Sequence, residues 1–404
     1  MARDKPGKII GGRYELMEPA GEGGMAVVWR AKLLGAGKFA RPVAVKRIHA
    51  AKGADGHFVR LFEEEARVGA DIHHPNVVQI MDFGVDEDGD YFLVMEWIEG
   101  IDFHHWVRSF PRGMEVTPWP LIAAIGVEIC RGLGAAHERI TEEGELSPVI
   151  HRDVSPSNIL LGTNGTVKLT DFGLARAMDR ASMTRPNVIK GKLAYCAPEL
   201  ITGAKASPQS DLFAVSVVLW EALAQQRLFT GKNDLEILLS VRKGEIQRLS
   251  ELRSDLPAAL EEAIHQGLEP DPEHRYESAR AMARAFSAIL HQHPEPVDAD
   301  PLGRSVRQAR ERLGMAQKLQ RAKKQARSDA QPEPSAVDLS LSEIEIVEEI
   351  ADGADIHVSV YDLPIPEEVQ GSDAVAGLWS DGDGDDGADR RDPSASFELV
   401  RKKR

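Results

Sequence analysis

His151-Arg152-Asp153-Val154-Ser155-Pro156-Ser157-Asn158 and, thirteen residues beyond Asn158, Asp171-Phe172-Gly173 decide how this chain is read. Two acids and an amide stand around a proline turn, and the apolar runs between them, near Ile159 and Val167, have the length of short strands. Upstream, Val43-Ala44-Val45-Lys46 puts one lysine among apolar neighbours on a predicted strand. Such a lysine either reaches solvent at the strand end or meets a carboxylate, and the helical pattern Phe58 to Ile72 offers Glu63, Glu64 and Glu65. Earlier still, Gly21-Glu22-Gly23-Gly24-Met25-Ala26-Val27-Val28 lies between two candidate strands. Its glycines would let the backbone approach a phosphate closely, and they suit a plain tight hairpin equally well. Downstream stands Ala197-Pro198-Glu199.

These segments sit in the first of three parts. Residues 1–301 carry 34 basic and 43 acidic residues, 302–328 nine against one, and 329–396 two against nineteen. Strand-like runs crowd the first hundred residues: Tyr14 to Glu18, Val27 to Leu33, Pro42 to Ile48, Val77 to Phe83 and Tyr91 to Trp97. From Leu121 onward longer helical patterns take over: Leu121 to Arg139, Asp211 to Gln225, Ala258 to Gly267 and Ala279 to His291. An α+β chain with a small sheet lobe ahead of a larger helical lobe is expected, with chemistry in the cleft between them. His293, Pro294, Pro296 and Pro301 make 292–301 a linker. Residues 302–328 read as an exposed basic helix, and 329–404 as an acidic, Gly-, Ser- and Pro-rich disordered tail.

Composition excludes several classes. An apolar fraction of 42% supports a sizeable core. Two cysteines, Cys130 and Cys196, make neither a disulfide framework nor a four-ligand zinc site. Net charge −15 argues against nonspecific nucleic-acid binding. No run of 18 apolar residues suggests a transmembrane segment, and Met1-Ala2-Arg3-Asp4 carries no export or myristoylation signal, so a cytoplasmic protein is expected.

The ordered motifs resemble the eukaryotic-type protein kinase family, in particular the bacterial Ser/Thr kinases, over residues 12–291. The resemblance implies the two-lobed kinase fold and the cofactors ATP and Mg²⁺. It also implies transfer of the γ-phosphate to Ser/Thr hydroxyls of protein substrates in cytoplasmic signalling. Lys46 would hold the α and β phosphates, paired with Glu65, leaving Glu63 and Glu64 as solvated face. Asn158 and Asp171 would ligate magnesium, and Asp153 would orient the acceptor hydroxyl. Gly21, Gly23 and Gly24 would cover the phosphates. Met95-Glu96-Trp97-Ile98 resembles the hinge, with Glu96 and Ile98 binding adenine through their backbone between Val28, Ala44 and Leu160, and Asp102 matches the ribose contact. Asp211 would brace the catalytic loop, and Glu199 would pair with Arg275. Arg152 would receive a phosphate autotransferred to Ser182 or Thr184, in the loop Leu174 to Cys196.

Three positions depart from the family pattern. Ala26 replaces the third glycine and Ser216 a helix glycine. Ser155 stands where Ser/Thr kinases carry a lysine beside the catalytic aspartate, while Lys192 fills the slot of a threonine that folds toward that site, so the two changes would compensate. A second reading, from another class, is an ATP-binding scaffold that signals by conformation through its tail. Within that tail, Ile344, Ile346, Val347 and Ile350 among acids would dock a partner on folding.

Overall fold

The computed structural model describes residues 4–22, 26–48, 56–141, 143–172 and 192–329. Every described residue belongs to one unit, within Met1–Asp362. The expected tail beyond Asp329, Gly23, Gly24, Gly173, Ser182 and Thr184 fall outside the described residues, as does the side chain of Glu65.

The small lobe is a six-stranded antiparallel sheet in the order β1-β2-β3-β4-β6-β5, from β1 (Ile9–Ile10), β2 (Tyr14–Glu22), β3 (Ala26–Leu34), β4 (Ala40–Ile48), β5 (Ile80–Val85) and β6 (Tyr91–Glu96). Helix α1 (Gly56–Ala70) covers one face. Strand β4 is buried from Val43 to Ile48, and its alternation sorts two clusters. Val43 and Val45 pack with Tyr14, Trp29 and Phe92 on one side. On the other, Ala44 joins Phe62, Ala66, Leu93 and Met95. Because Lys46 lies two residues beyond Ala44, it shares that second face, directly opposite Val28 on β3. Val77 and Val78 are not in a strand: they bridge to Leu169 in the large lobe, with the Val78 N–H donating to the Leu169 carbonyl at 2.8 Å.

A three-stranded sheet, β7 (Gly100–Asp102), β8 (Ile159–Gly162) and β9 (Val167–Leu169), floors the cleft. Below it lie α2 (Phe103–Arg108), α3 (Trp119–His137), α4 (Pro198–Ile201), α5 (Pro208–Ala224), α6 (Asp234–Lys243), α7 (Ala258–Gly267) and α8 (Ala279–Leu290). Among the described residues only α3 is long and apolar enough by composition to cross a membrane, and 67% of that apolar window is buried, as its place in the lobe's core requires. Helix α5 starts where Ser207 and Ser210 cap each other's backbone with Pro208 at the first position, and it stops at Gln225, in the left-handed region at φ 51°. Ser216 fits because Gly267 faces it: a Cβ at Gly267 would lie 2.0 Å from Ser216 Oγ, which instead donates to the Leu212 carbonyl at 2.8 Å.

Helix α9 (Ala299–Asp329) departs from the sequence expectation in two respects. It begins inside the expected linker, since Pro301 sits in the first helical turn, where no N–H is required. Its opening turns are also packed rather than solvated: Leu302, Val306 and Ala309, at i, i+4 and i+7, are 4%, 0% and 1% exposed within the large-lobe core.

Candidate active site

The catalytic loop between α3 and β8 is fixed from beneath. Asp211, 1% exposed at the start of α5, accepts the backbone N–H groups of His151 and Arg152 and faces His137 Nε2, each at 2.8 Å. Held there, Arg152 adopts φ 67°, a left-handed conformation that a long side chain enters at a cost. The His151 ring stacks obliquely on Phe172 at 4.4 Å and places Nε2 3.0 Å from the Thr170 carbonyl, joining the loop to the Asp171 segment. Asp211 therefore occupies the bracing role expected of it.

Asp153 collects two donors on one oxygen. Asn158, in a single turn of 3₁₀ helix (Pro156–Asn158), donates Nδ2 to the Asp153 carbonyl at 2.8 Å and to Oδ2 at 2.9 Å. Lys192 Nζ reaches the same Oδ2 at 2.5 Å. Ser155, 3% exposed, faces Ser157, their hydroxyls 3.2 Å apart, so the charge beside Asp153 comes from the far segment.

Across the cleft, Lys46 Nζ lies 2.8 Å from Asp171 Oδ1. Burial alone would push the Asp171 carboxyl up, but the charge and hydrogen bond of Lys46 outweigh it and hold the group below its usual range, with Lys192 and His151 adding to the effect. Asp171 also has positive φ, 64°. With Asn158 Nδ2 committed to Asp153, its Oδ1 is the atom offered to a cation, and Asp171 supplies a second hard oxygen. Among the described residues no three His, Cys, Asp or Glu side chains cluster to hold a metal unaided. Asn158 and Asp171 would hold a divalent ion with two hard oxygens, leaving its other positions to further ligands.

The wall that the resemblance assigns to adenine is apolar. Ala44 and Met95 belong to one buried cluster, and Val28, Ile98, Trp97 and Leu160 pack against it from both lobes. The Glu96 carboxylate accepts Lys168 Nζ at 2.6 Å and the Gln79 N–H at 2.8 Å. Asp102, opposite Leu160 in the β7–β8 pair, caps α2 by accepting the His105 N–H and faces His105 Nδ1, both at 2.8 Å. That hydrogen bond raises the His105 imidazole above its usual value against the effect of burial. Gly21 lies on β2 opposite Val28, beside a register shift in the β2–β3 pair. Glu63 is exposed, in keeping with a solvated face.

Below the site, Glu199 and Arg275 form a two-point pair at 2.9 and 2.8 Å, and the guanidinium also donates to three carbonyls and covers Phe213 at 4.9 Å. Sequence reasoning missed two charged residues near the hinge, Glu99 and Arg310, whose side chains meet at 2.7 Å. No motif marks either one, since their pairing spans more than two hundred residues.

A sheet lobe over a helical lobe, with a lysine–aspartate pair facing a braced catalytic loop, defines a protein kinase domain. The family model described as protein kinase domain matches residues 14–287, and the chain belongs to that family. Among similar proteins are the tyrosine-protein kinase MasK of Myxococcus xanthus, 42% identical over 294 residues, covering 72% of this chain and 45% of that one, and the serine/threonine-protein kinase PrkC of Bacillus subtilis, 32% identical over 278 residues, covering 68% and 40%. This chain thus spans less than half the length of those relatives. The crystal structure of the PknI kinase domain of Mycobacterium tuberculosis aligns with TM-score 0.53 and 27% identity, covering 71% of this chain and 99% of that domain.

Proposed function

We propose that the chain transfers the γ-phosphate of ATP to Ser/Thr hydroxyls of protein substrates in bacterial cytoplasmic signalling. The observation that carries this reading is convergence: Lys46 on Asp171, and Asn158 with Lys192 on Asp153, in one cleft under an apolar wall. Phosphoryl transfer asks a protein mainly to position and to neutralise charge. Magnesium, when bound, neutralises charge on the β and γ phosphates. Lys46 holds the α and β phosphates, and Asp171 and Asn158 orient the ion. Asp153, its Oδ2 held by two donors, keeps its other oxygen to orient the acceptor hydroxyl and take its proton. Lys192 supplies the positive charge that Ser155 lacks. Autophosphorylation at Ser182 or Thr184, read by Arg152, would order the activation segment.

Likeness to MasK, a kinase named for tyrosine, favours a second acceptor reading, in which tyrosine is phosphorylated. Incubating the protein with Mg²⁺ and labelled ATP, followed by phosphoamino-acid analysis, separates the two. Phosphoserine and phosphothreonine are expected, absent from Lys46→Met. Phosphotyrosine alone would replace the Ser/Thr reading. ATP binding without transfer by the wild type would leave the scaffold reading standing.

A further inference from the structure

Helix α9 does more than cover apolar surface. Its docking is independent of charge: Leu302, Val306 and Ala309 are buried, Trp106 Nε1 donates to Ser305 Oγ at 3.0 Å, and Gly303 sits so close to the β8–β9 turn that a Cβ there would lie 2.8 Å from the Thr163 carbonyl. That anchorage fixes where the following turns point. Arg307 donates to the Thr163 carbonyl, and the Thr163 N–H donates to the Glu99 carbonyl at 2.8 Å. One turn on, Arg310 meets the Glu99 carboxylate at 2.7 Å.

Glu99 immediately follows the hinge. Its other oxygen accepts Trp97 Nε1 at 3.0 Å, and Arg30 of β3 lies 3.9 Å from the same carboxylate, 5.5 Å from the Trp97 ring and 3.0 Å from Glu18 of β2. A chain of charged contacts therefore runs from the small-lobe sheet through the hinge to α9. Trp97 and its neighbour Ile98 are part of the apolar wall of the cleft.

We propose that Arg310 is a positioning residue of the nucleotide site: by holding Glu99 it sets the orientation of Trp97 and the hinge, so that α9 tunes affinity for ATP. The inference rests on the kinase reading above. Arg310 is tied to the hinge and not to Asp153 or Asp171, so its effect falls on binding shared by ground and transition states, which moves KM and leaves kcat alone.

The test uses the full chain, with MgATP affinity and steady-state kinetics measured for wild type, Arg310→Ala, Arg310→Lys and Glu99→Gln. Arg310→Ala and Glu99→Gln should each raise Kd and KM for ATP by about three- to fivefold, the scale of an exposed ion pair. Their kcat should stay within about twofold of wild type, on the same uniform-binding argument. Melting temperature should be unchanged, because the apolar stripe and Gly303 still seat the helix. Arg310→Lys should recover most of the loss, and the difference between wild type and Arg310→Ala should shrink in about 1 M salt, where exposed charges are screened. Unchanged ATP affinity in Arg310→Ala overturns the positioning role, as does a parallel fall of kcat and melting temperature, which would mark general unfolding. A wild type that binds no nucleotide would overturn the kinase reading and this inference with it. Wild-type binding with an inert Arg310→Ala removes this inference alone.

Discussion

The catalytic loop and helix α9 are both fastened to the large lobe, by opposite means. The loop is held by hydrogen bonds to one buried carboxylate, Asp211, and pays for Arg152 at φ 67° through them. Helix α9 is held by three small or medium apolar side chains and a close backbone approach at Gly303, with ion pairs only along its exposed edge. In the first case geometry is specified by directional bonds and tolerates no substitute. In the second, position is specified by shape, and the charges are free to do something besides anchoring. Deep substitutions in the loop should therefore cost most and rim charges on α9 least.

Asp211→Asn attacks the first fastening. An amide can accept from the His151 and Arg152 N–H groups only in part, and its NH₂ meets His137 Nε2 where a carboxylate stood. Disrupting a buried charged network of this kind costs about 3–5 kcal/mol. The variant should show a large drop in denaturant midpoint and at least about a hundredfold loss of phosphotransfer, a loss larger than any expected on α9. Near-wild-type turnover would mean that the loop is held by His151 and Phe172 instead.

Lys192→Thr tests the loop's borrowed charge. Because Lys192 is 43% exposed at the side chain and reaches Asp153 at 2.5 Å, its removal should leave stability intact. Turnover should fall on the order of 10², the usual effect of deleting one electrostatic group from such a site, with nucleotide affinity little changed. Adding Ser155→Lys should restore much of it. No rescue, or no loss to rescue, would show that the site works without a lysine there.

Val306→Ala moves the comparison to α9. Val306 is fully buried, so truncating it should destabilise the large lobe by about 2 kcal/mol through lost transfer energy and a residual cavity. Thermal unfolding would check this, and an unchanged midpoint would mean that the helix is a surface appendage.

How far each fastening could be read in advance follows from the same contrast. Lys46, Asp153, Asn158, Asp171, Asp211, Glu199 and Arg275 were legible as a set because phosphoryl transfer and its bracing need particular acids, amides and bases at set offsets; the Asp211 and Glu199–Arg275 contacts follow that reading, whereas Lys46 meets Asp171, and the side chain of its expected partner Glu65 lies outside the described residues. The α9 docking was hidden. Leu302, Val306 and Ala309 make a stripe too narrow to read as a core face, Ala309 and Gly303 look like filler, and Pro301 reads as a break when it is a first-turn residue. Val77 and Val78 misled in the other direction, since β-branched residues suggested a strand where the backbone instead bridges the lobes.

The smallest effect separates two arginines on one helix. Arg312 sits two residues beyond Arg310 and pairs with Glu115 at 3.0 Å, with its guanidinium 5.6 Å from the Phe110 ring centroid. Both partners of that pair are more than 40% exposed, so screening and side-chain entropy leave the contact at most about 1 kcal/mol. Glu115 belongs to the segment before α3, where its carboxylate meets Arg312 and its carbonyl accepts Gln225 Nε2. Arg312→Ala should therefore leave KM for ATP at the wild-type value, whereas Arg310→Ala should raise it, with little change in melting temperature in either variant. Equal shifts in KM for the two variants would mean that α9 acts through its overall charge, and the particular contact with Glu99 would lose its role.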